Sequence, residues 1–170
     1  MAAPELVVSP FLAFNFSVEI TVEIPKPDDP KHVRKQLCSA AFSECDGLEI
    51  TMEVKTLKEG GANGQLVRLS GPVSYGQLTL KRGMTANFDL WDWFRAVVAD
   101  PRIRADAEVV LLEFDGIAER AAFLCRRCVP VKLKAPLLNA KDGMVAIEEL
   151  QLAYESILYR PARKTPSANG

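Results

Sequence analysis

The sequence contains few of the residues on which metal sites and nucleophilic enzymes usually depend. Its 170 residues include one histidine, His32, and four cysteines. No nucleophile-elbow motif accompanies His32, which argues against the commonest hydrolase pattern. Cys125 and Cys128 form half of a zinc pattern, but six residues separate Cys38 from Cys45, where a zinc pair usually has about two to four. Because Cys125 and Cys128 would point to opposite faces of a regular strand, we predict free, buried cysteines, with no metal, cofactor or catalytic residue.

The sequence also lacks an excess of charge and a long apolar run. Its 21 Lys and Arg residues nearly balance 22 Asp and Glu residues, and the formal net charge is −1. General nucleic-acid-binding domains are usually basic, so this balance argues against that function. No apolar run approaches membrane-spanning length, and we expect no secretory signal peptide. Cysteines without such a signal indicate a reducing compartment.

Alternation of apolar and polar residues is the main pattern that is present. Every second residue from Phe14 to Ile24 is apolar, and the residues between them are polar. The segment from Leu48 to Lys58 alternates again, with Leu48, Ile50, Met52 and Val54 on one face. This period predicts strands with one buried and one wet face, as in antiparallel sheets. Further predicted strands are residues 42–45, 66–69, 73–82, 107–114, 118–133 and 145–158, with Gly71-Pro72 as a break.

Proline, glycine and polar clusters predict the organisation of the chain. We expect a mobile N-terminal arm at residues 1–10, a single domain at residues 11–160, and a disordered tail at residues 161–170. Prolines end the first strand from Pro25 onwards. Residues 31–41 read as a polar connection with room for one helical turn.

One segment has the period of a helix instead. Its apolar residues have helical spacing, and they are Leu90, Trp91, Phe94, Val97 and Val98. Asn87 or Asp89 can cap its start, and Asp100-Pro101 ends it. We predict that Leu90, Trp91 and Phe94 anchor this helix on a sheet, and that one tryptophan of Trp91 and Trp93 is core while the other is partly exposed. The predicted fold is mainly β: an antiparallel β-sandwich or small barrel with one α-helix packed on it.

A glycine-rich loop lies between two of the predicted strands. It consists of Glu59, Gly60, Gly61, Ala62, Asn63, Gly64 and Gln65. A phosphate cradle would need a following Gly-Lys-Ser/Thr and a helix, and neither is present. We therefore predict a flexible contact loop between subunits. Glu148-Glu149 is either part of a wet face or an inter-subunit salt-bridge donor, and we interpret the Lys132/Lys134 and Arg126/Arg127 pairs as solvated strand positions.

The chain resembles the tail-tube proteins of contractile phages and contractile injection systems, a family that shares its fold with the type VI secretion tube subunit. The resemblance runs from about Phe14 to Leu158 and depends on the order of four pieces. They are Phe14-Asn-Phe-Ser-Val-Glu-Ile20; Phe42-Ser-Glu-Cys-Asp-Gly-Leu-Glu49 with the glycine loop; Leu78-Thr-Leu-Lys-Arg-Gly83 leading to Leu90-Trp-Asp-Trp93; and Asn139-Ala-Lys-Asp-Gly-Met-Val-Ala-Ile-Glu-Glu-Leu-Gln-Leu-Ala-Tyr-Glu155. Residues 25–41 are longer than the connection expected after the first strand of this family.

The resemblance implies a structural, non-enzymatic subunit that forms hexameric rings, which stack into a hollow tube for cargo or DNA. It implies sheath, baseplate or tube-initiator proteins and lumenal cargo as partners, no membrane anchor, and synthesis in the bacterial cytoplasm. Three alternatives stay open. They are a tube-initiating baseplate relative of the same fold, a small cysteine-based metal-binding β-barrel module or enzyme, and a monomeric adaptor that binds a peptide.

Overall fold

The computed structural model describes residues 13–26, 29–40, 42–58, 66–139, 141 and 143–162. The predicted N-terminal arm and most of the predicted tail lie outside these residues. Within them the chain forms ten strands and one helix. Their bounds are β1 Phe16–Lys26, β2 Asp29–Ala40, β3 Glu44–Asp46, β4 Ile50–Lys58, β5 Leu66–Tyr75, β6 Gln77–Gly83, α1 Asp89–Ala99, β7 Arg104–Leu112, β8 Glu119–Lys134, β9 Ile147–Ala153 and β10 Ser156–Pro161.

Eight of these strands belong to one antiparallel sheet. Its order is β2-β1-β7-β8-β9-β6-β3, and β10 pairs with β8 beside this path. Because β2 and β3 end the path, the sheet is open over the described residues, which favours the sandwich over the closed barrel. Strands β4 and β5 form a separate two-stranded sheet.

The sandwich has two halves: one contains β1, β2, β7 and β10, and the other contains β3, β6 and β9. Strand β8 belongs to both halves because its backbone bends midway. Its first part pairs with β7 and β10, and its last part pairs with β9. At the bend Arg127 has a φ of 52°, and its N–H donates to Asp106 Oδ1 at 3.1 Å. A bulge of this kind changes which side chains face inward. Cys125 and Cys128 are therefore both fully buried, because β8 is not the regular strand for which opposite faces were expected.

One hydrophobic core fills the space between the two halves and the helix. The alternation in β1 predicted its members there correctly, since Val18, Ile20 and Val22 are buried. The opposite half contributes residues of β6 and β9, among them Leu80 and Leu152. The prediction fails at both ends of this apolar face, because Phe14 and Ile24 are exposed.

The structure corrects three predicted boundaries. Residues 31–40 of the predicted connection belong to strand β2, which pairs along β1 at the edge of the sheet, and residue 41 lies outside the described residues. An edge strand with one wet face needs few apolar residues, which explains why it read as a polar connection. Strand β5 runs through Gly71-Pro72, and the break comes at Gly76 instead. The last predicted strand is two strands, β9 and β10, separated at Tyr154-Glu155. No helix in the described part of the chain is long and apolar enough to span a membrane.

Candidate assembly surfaces

Strands β4 and β5 form an arm whose apolar residues are left exposed. The two strands pair with each other and with no other described strand. Large apolar side chains on the arm remain between 36% and 60% exposed. They are Ile50, Met52, Val54, Leu57, Leu66, Val67, Leu69, Val73 and Tyr75. The sequence pattern predicted a strand here with one buried face, and the isolated chain buries neither face of it.

Eight of the nine apolar residues of the arm form two clusters on opposite faces, and the ninth, Leu66, pairs with Lys58 at the far end. Directly paired residues share a face, and successive residues of one strand alternate. The base cluster, on the first face near the body of the protein, is Ile50, Met52, Val54, Val73 and Tyr75. The tip cluster, on the second face near the far end, is Leu57, Val67 and Leu69. The arm therefore presents apolar surface in two directions.

A register shift lies within the base cluster, between Met52 and Val54. Met52 pairs with Val73, but Val54 pairs with Ser70, so β5 has one extra residue opposite Glu53. Gly71 occupies this position because a Cβ there would lie 2.7 Å from the Glu53 carbonyl oxygen. Any side chain at Gly71 would displace the backbone of the facing strand, so the bulge requires glycine.

The hydroxyl of Tyr154 ties the base of the arm to the body. Tyr154 is buried, and its Oη accepts the Glu49 N–H at 3.0 Å. The carbonyl oxygens of Gly47 and Glu49 lie 2.9 and 3.0 Å from the same Oη, within reach of its single proton. Gly76 N–H also donates to the Glu49 carbonyl at 3.1 Å. These bonds hold the point where the chain enters and leaves the arm.

A second apolar surface lies around the loop between β8 and β9. Leu137, Leu138, Met144 and Val145 are each at least 75% exposed. They line a hollow of about 590 Å³ with Lys81 and others, which we call the Leu138 hollow. Sequence reasoning missed this surface, although paired apolar residues beside a predicted turn were its visible signal.

An ion-pair network buried inside the subunit holds the helix against β6 and β9. Arg82 donates from Nε to Glu148 Oε1 at 2.6 Å and from Nη2 to Asp89 Oδ1 at 2.8 Å. Trp91 donates from Nε1 to Glu148 Oε2 at 3.1 Å, and the Arg82 guanidinium lies 5.9 Å from the centre of the Phe42 ring. Burial lowers the pKa of Arg82, but the hydrogen bonds to Asp89 and Glu148 outweigh that effect and raise it overall. Arg82 therefore stays charged, as the network requires.

This network corrects the interpretation of Glu148-Glu149. Glu148 is only 2% exposed and is bonded within its own subunit, so it belongs to neither a wet face nor an inter-subunit salt bridge. Glu149 is half-buried and lies 3.4 Å from Lys132 Nζ. The two carboxylates differ because successive strand residues point to opposite faces.

The helix packs through a slightly different set of side chains from the predicted anchor. Leu90 and Val97 are buried, and Trp93 is buried as well, while Trp91 and Phe94 are half-buried. Val98, placed in the predicted stripe, is 72% exposed, which is a correction. The helix ends at Ala99 before Asp100-Pro101, but its N-cap is Phe88 rather than Asn87 or Asp89. Asp89 is instead an ion-pair partner of Arg82.

The cysteines are all free thiols in the structure. Cys38, Cys125 and Cys128 are buried, and Cys45 is partly buried. Burial raises the pKa of Cys38 and Cys45 to about 11 and that of Cys125 and Cys128 to about 12. In the described part of the chain no three His, Cys, Asp or Glu side chains are grouped so that they could hold a metal. The predicted contact loop of residues 59–65 lies outside the described residues.

The outward face of β1, β2, β7 and β8 carries paired charges. Asp106 lies at its centre, 3.1 Å from Arg34 and 2.6 Å from Arg126. Arg160 of β10 contacts both Glu108 and Glu119. Because cations and anions are interspersed, this face is polar without a strong potential of either sign.

The fold is an open β-sandwich with one covering helix and an arm whose apolar faces are uncovered. These features are typical of a structural subunit that assembles with further copies. The family is identified by the match of residues 12–158 to the model of the T4-like virus tail tube protein gp19. The chain belongs to this family and is a structural tail-tube protein. No curated protein sequence matches it significantly.

Several solved structures share the fold. A chain of the anti-feeding prophage baseplate has 24% identity and a TM-score of 0.73, over 91% of this chain and 98% of that one. A chain of the PVC extracellular contractile injection system sheath-tube complex has 17% identity and a TM-score of 0.72, over 91% and 94%. A chain of the anti-feeding prophage cap has 17% identity and a TM-score of 0.73, over 94% and 97%. The fold class and the family resemblance predicted from the sequence are thereby confirmed.

Proposed function

We propose that this protein forms hexameric rings that stack into the hollow inner tube of a phage tail or contractile injection particle, through which cargo or DNA passes. Family membership supports the tube itself. Solved structures with the same fold come from a baseplate, a sheath-tube complex and a cap. We infer sheath and baseplate proteins as partners and a role without catalysis.

The exposed arm is the observation that carries this proposal. Nine large apolar side chains on one two-stranded element are uncovered in the single chain. Contiguous exposed apolar surface of this kind marks sites of protein association. Neighbouring copies in a ring or stack would cover this apolar surface, which accounts for the composition of the arm.

The charged outward face is suited to the lumen of such a tube. Its cations and anions already pair within the subunit, as around Asp106. Such a face stays wetted but does not bind a polyanion strongly, because unpaired basic residues supply that affinity. Cargo could then move along it without being retained.

A ring close to the baseplate is a second candidate position for this subunit. The baseplate chain has a higher identity than the sheath-tube and cap chains, 24% against 17%. Immunogold labelling of assembled particles distinguishes the two positions. Antibodies against a main tube subunit should label the whole length of the tube, and antibodies against a tube initiator should label one end.

Electron microscopy of the purified protein tests the proposal. We expect six-fold rings, and tubes at high protein concentration or beside the native sheath and baseplate proteins, because ring closure depends on mass action. Light scattering gives the solution mass in parallel. A strict monomer at high concentration, with no rings or tubes even beside those partners, would overturn the proposal.

A further inference from the structure

We propose that the Leu138 hollow of one subunit receives the tip cluster of the arm of a second copy. The inference rests on the proposed function, and it adds which two surfaces meet. Both surfaces are apolar and uncovered in the single chain: Leu57, Val67 and Leu69 on the arm, and Leu137 and Leu138 at the hollow.

The two surfaces lie at opposite ends of the same strand pair. The arm joins the body at Gly76, directly before β6, where Gln77 pairs with Ala153 of β9. At the other end Gly83 pairs with Ile147, and Ile147 lines the hollow. A strand of this length spans about 20 Å. The subunit therefore carries a projecting surface at one end and a concave one at the other.

Different surfaces at opposite ends produce a head-to-tail contact. Such a contact does not close between two copies, and it extends into rings or open stacks. The projecting arm of one copy can enter the concave hollow of another copy. A second copy of the chain is therefore the occupant that continues the assembly.

The size of the arm explains why two copies alone would not suffice. A two-stranded ribbon about ten residues long offers roughly 300 Å² on one face. A stable interface buries about 800 Å² on each partner. One arm in one hollow is thus too small to hold a dimer, whereas a ring of arms facing a ring of hollows makes many contacts together. Rings should stack cooperatively rather than through stable pairs of subunits.

Charge substitutions with a complementary rescue test this contact. Leu69→Glu and Leu138→Glu should each reduce tube formation at least about tenfold, because a charge would be buried in an apolar contact. The double variant Leu69→Glu with Leu138→Lys should recover tubes, since the new charges then face each other. Ile117→Glu is the control, at a turn residue that is 84% exposed and outside both surfaces. All these side chains are exposed, so melting temperatures should stay close to that of the unchanged protein.

Cross-linking gives a readout independent of stability. A short bis-maleimide should join Leu69→Cys of one copy to Leu138→Cys of another in assembled tubes, and Leu69→Cys mixed with Ile117→Cys should give no such product. The native thiols of Cys125 and Cys128 are buried and should not react. Normal tubes from both charge variants, or tubes without the 69–138 product, overturn the inference and leave the proposed function intact. Absence of rings and tubes from the unchanged protein would overturn the proposed function itself.

Discussion

At the scale of single residues, the strongest polar interactions stabilise the subunit rather than perform chemistry. Arg82 and Glu148 are 6% and 2% exposed, so each depends on the other to offset the loss of water. Their bonds join β6, β9 and α1 at one point, with Asp89 and Trp91 as further partners. Neighbouring Lys81 pairs with Glu44 in a far more exposed position.

Removing Arg82 should therefore be costly. Arg82→Met leaves Glu148 buried without its cation, which should lower the free energy of unfolding by about 3–5 kcal/mol. Lys81→Met is the matched control, and loss of its surface pair should cost about 0–1 kcal/mol. Urea denaturation measures both variants. If Arg82→Met with Glu148→Leu is no more stable than Arg82→Met alone, the buried carboxylate is not the source of the cost.

The Tyr154 hydroxyl should control the base of the arm more than the stability of the body. Tyr154→Phe keeps the buried ring but removes the partner of the Glu49 N–H, which should cost about 1 kcal/mol. Hydrogen exchange at Glu49 and Gly76 should accelerate, while exchange in β1 stays unchanged. Tyr159→Phe is the control, because that side chain is 64% exposed. Equal exchange in both variants would show that the hydroxyl does not hold the arm.

At the scale of elements, the amphipathic helix covers the core, and the structure shows which of its faces is buried. Trp93→Ala should destabilise the protein by about 3–5 kcal/mol, because a large core side chain is lost. Val98→Ala, on the exposed face of the same helix, should change stability by no more than about 0.5 kcal/mol. Thermal denaturation of both variants measures the difference. A comparable loss in the two would contradict the observed orientation of the helix.

The loop of residues 59–65 connects the strands of the arm and remains a predicted inter-subunit contact. Deletion of Gly60 to Gly64 should leave the fold nearly intact, since a change of loop length alters closure entropy only slightly. It should strongly weaken the stacking of rings. Circular dichroism measures the fold, and electron microscopy measures the tubes. Normal tubes from the deletion variant would show that the loop only connects the two strands. An unfolded variant would show that the loop belongs to the domain core.

At the scale of the whole molecule, four protonated thiols link stability to alkaline pH. Their pKa values of about 11 to 12 lie above the ordinary 9.0 because the folded protein buries them. Above about pH 9 the unfolded chain loses these protons first, so its free energy falls relative to that of the folded chain. Stability should thus be unaffected by the thiols below that pH and should decline as the pH rises towards 12.

Unfolding in urea at about pH 8 and about pH 10, under reducing conditions, measures this decline. Cys128→Ala should reduce the difference between the two pH values, because one shifted thiol is removed. If the stability of Cys128→Ala differs between the two pH values as much as that of the unchanged protein, groups other than this thiol cause the loss of stability at alkaline pH.

The sequence by itself determined those features that depend on neighbouring residues. Alternation in β1 placed Val18, Ile20 and Val22 in the core, because strand residues alternate between faces. Helical spacing and Asp100-Pro101 located α1 and its end, although only its buried face showed that Trp93 is the core tryptophan. These patterns were also sufficient to predict the fold class, while the tail-tube family was predicted from the resemblance of four sequence pieces in their order along the chain.

Only the tertiary structure decided the features that depend on partners far along the chain. Residues 31–40 belong to strand β2 because β1 offers an edge to pair with, and a polar edge strand has no distinct local pattern. The bend at Arg127 turned Cys125 and Cys128 inward, and the meeting of β6 with β9 made Glu148 a buried partner of Arg82. Tyr154 reaches Glu49 across 105 positions of sequence. Such contacts form when the sheet folds over its core, and no local periodicity encodes them.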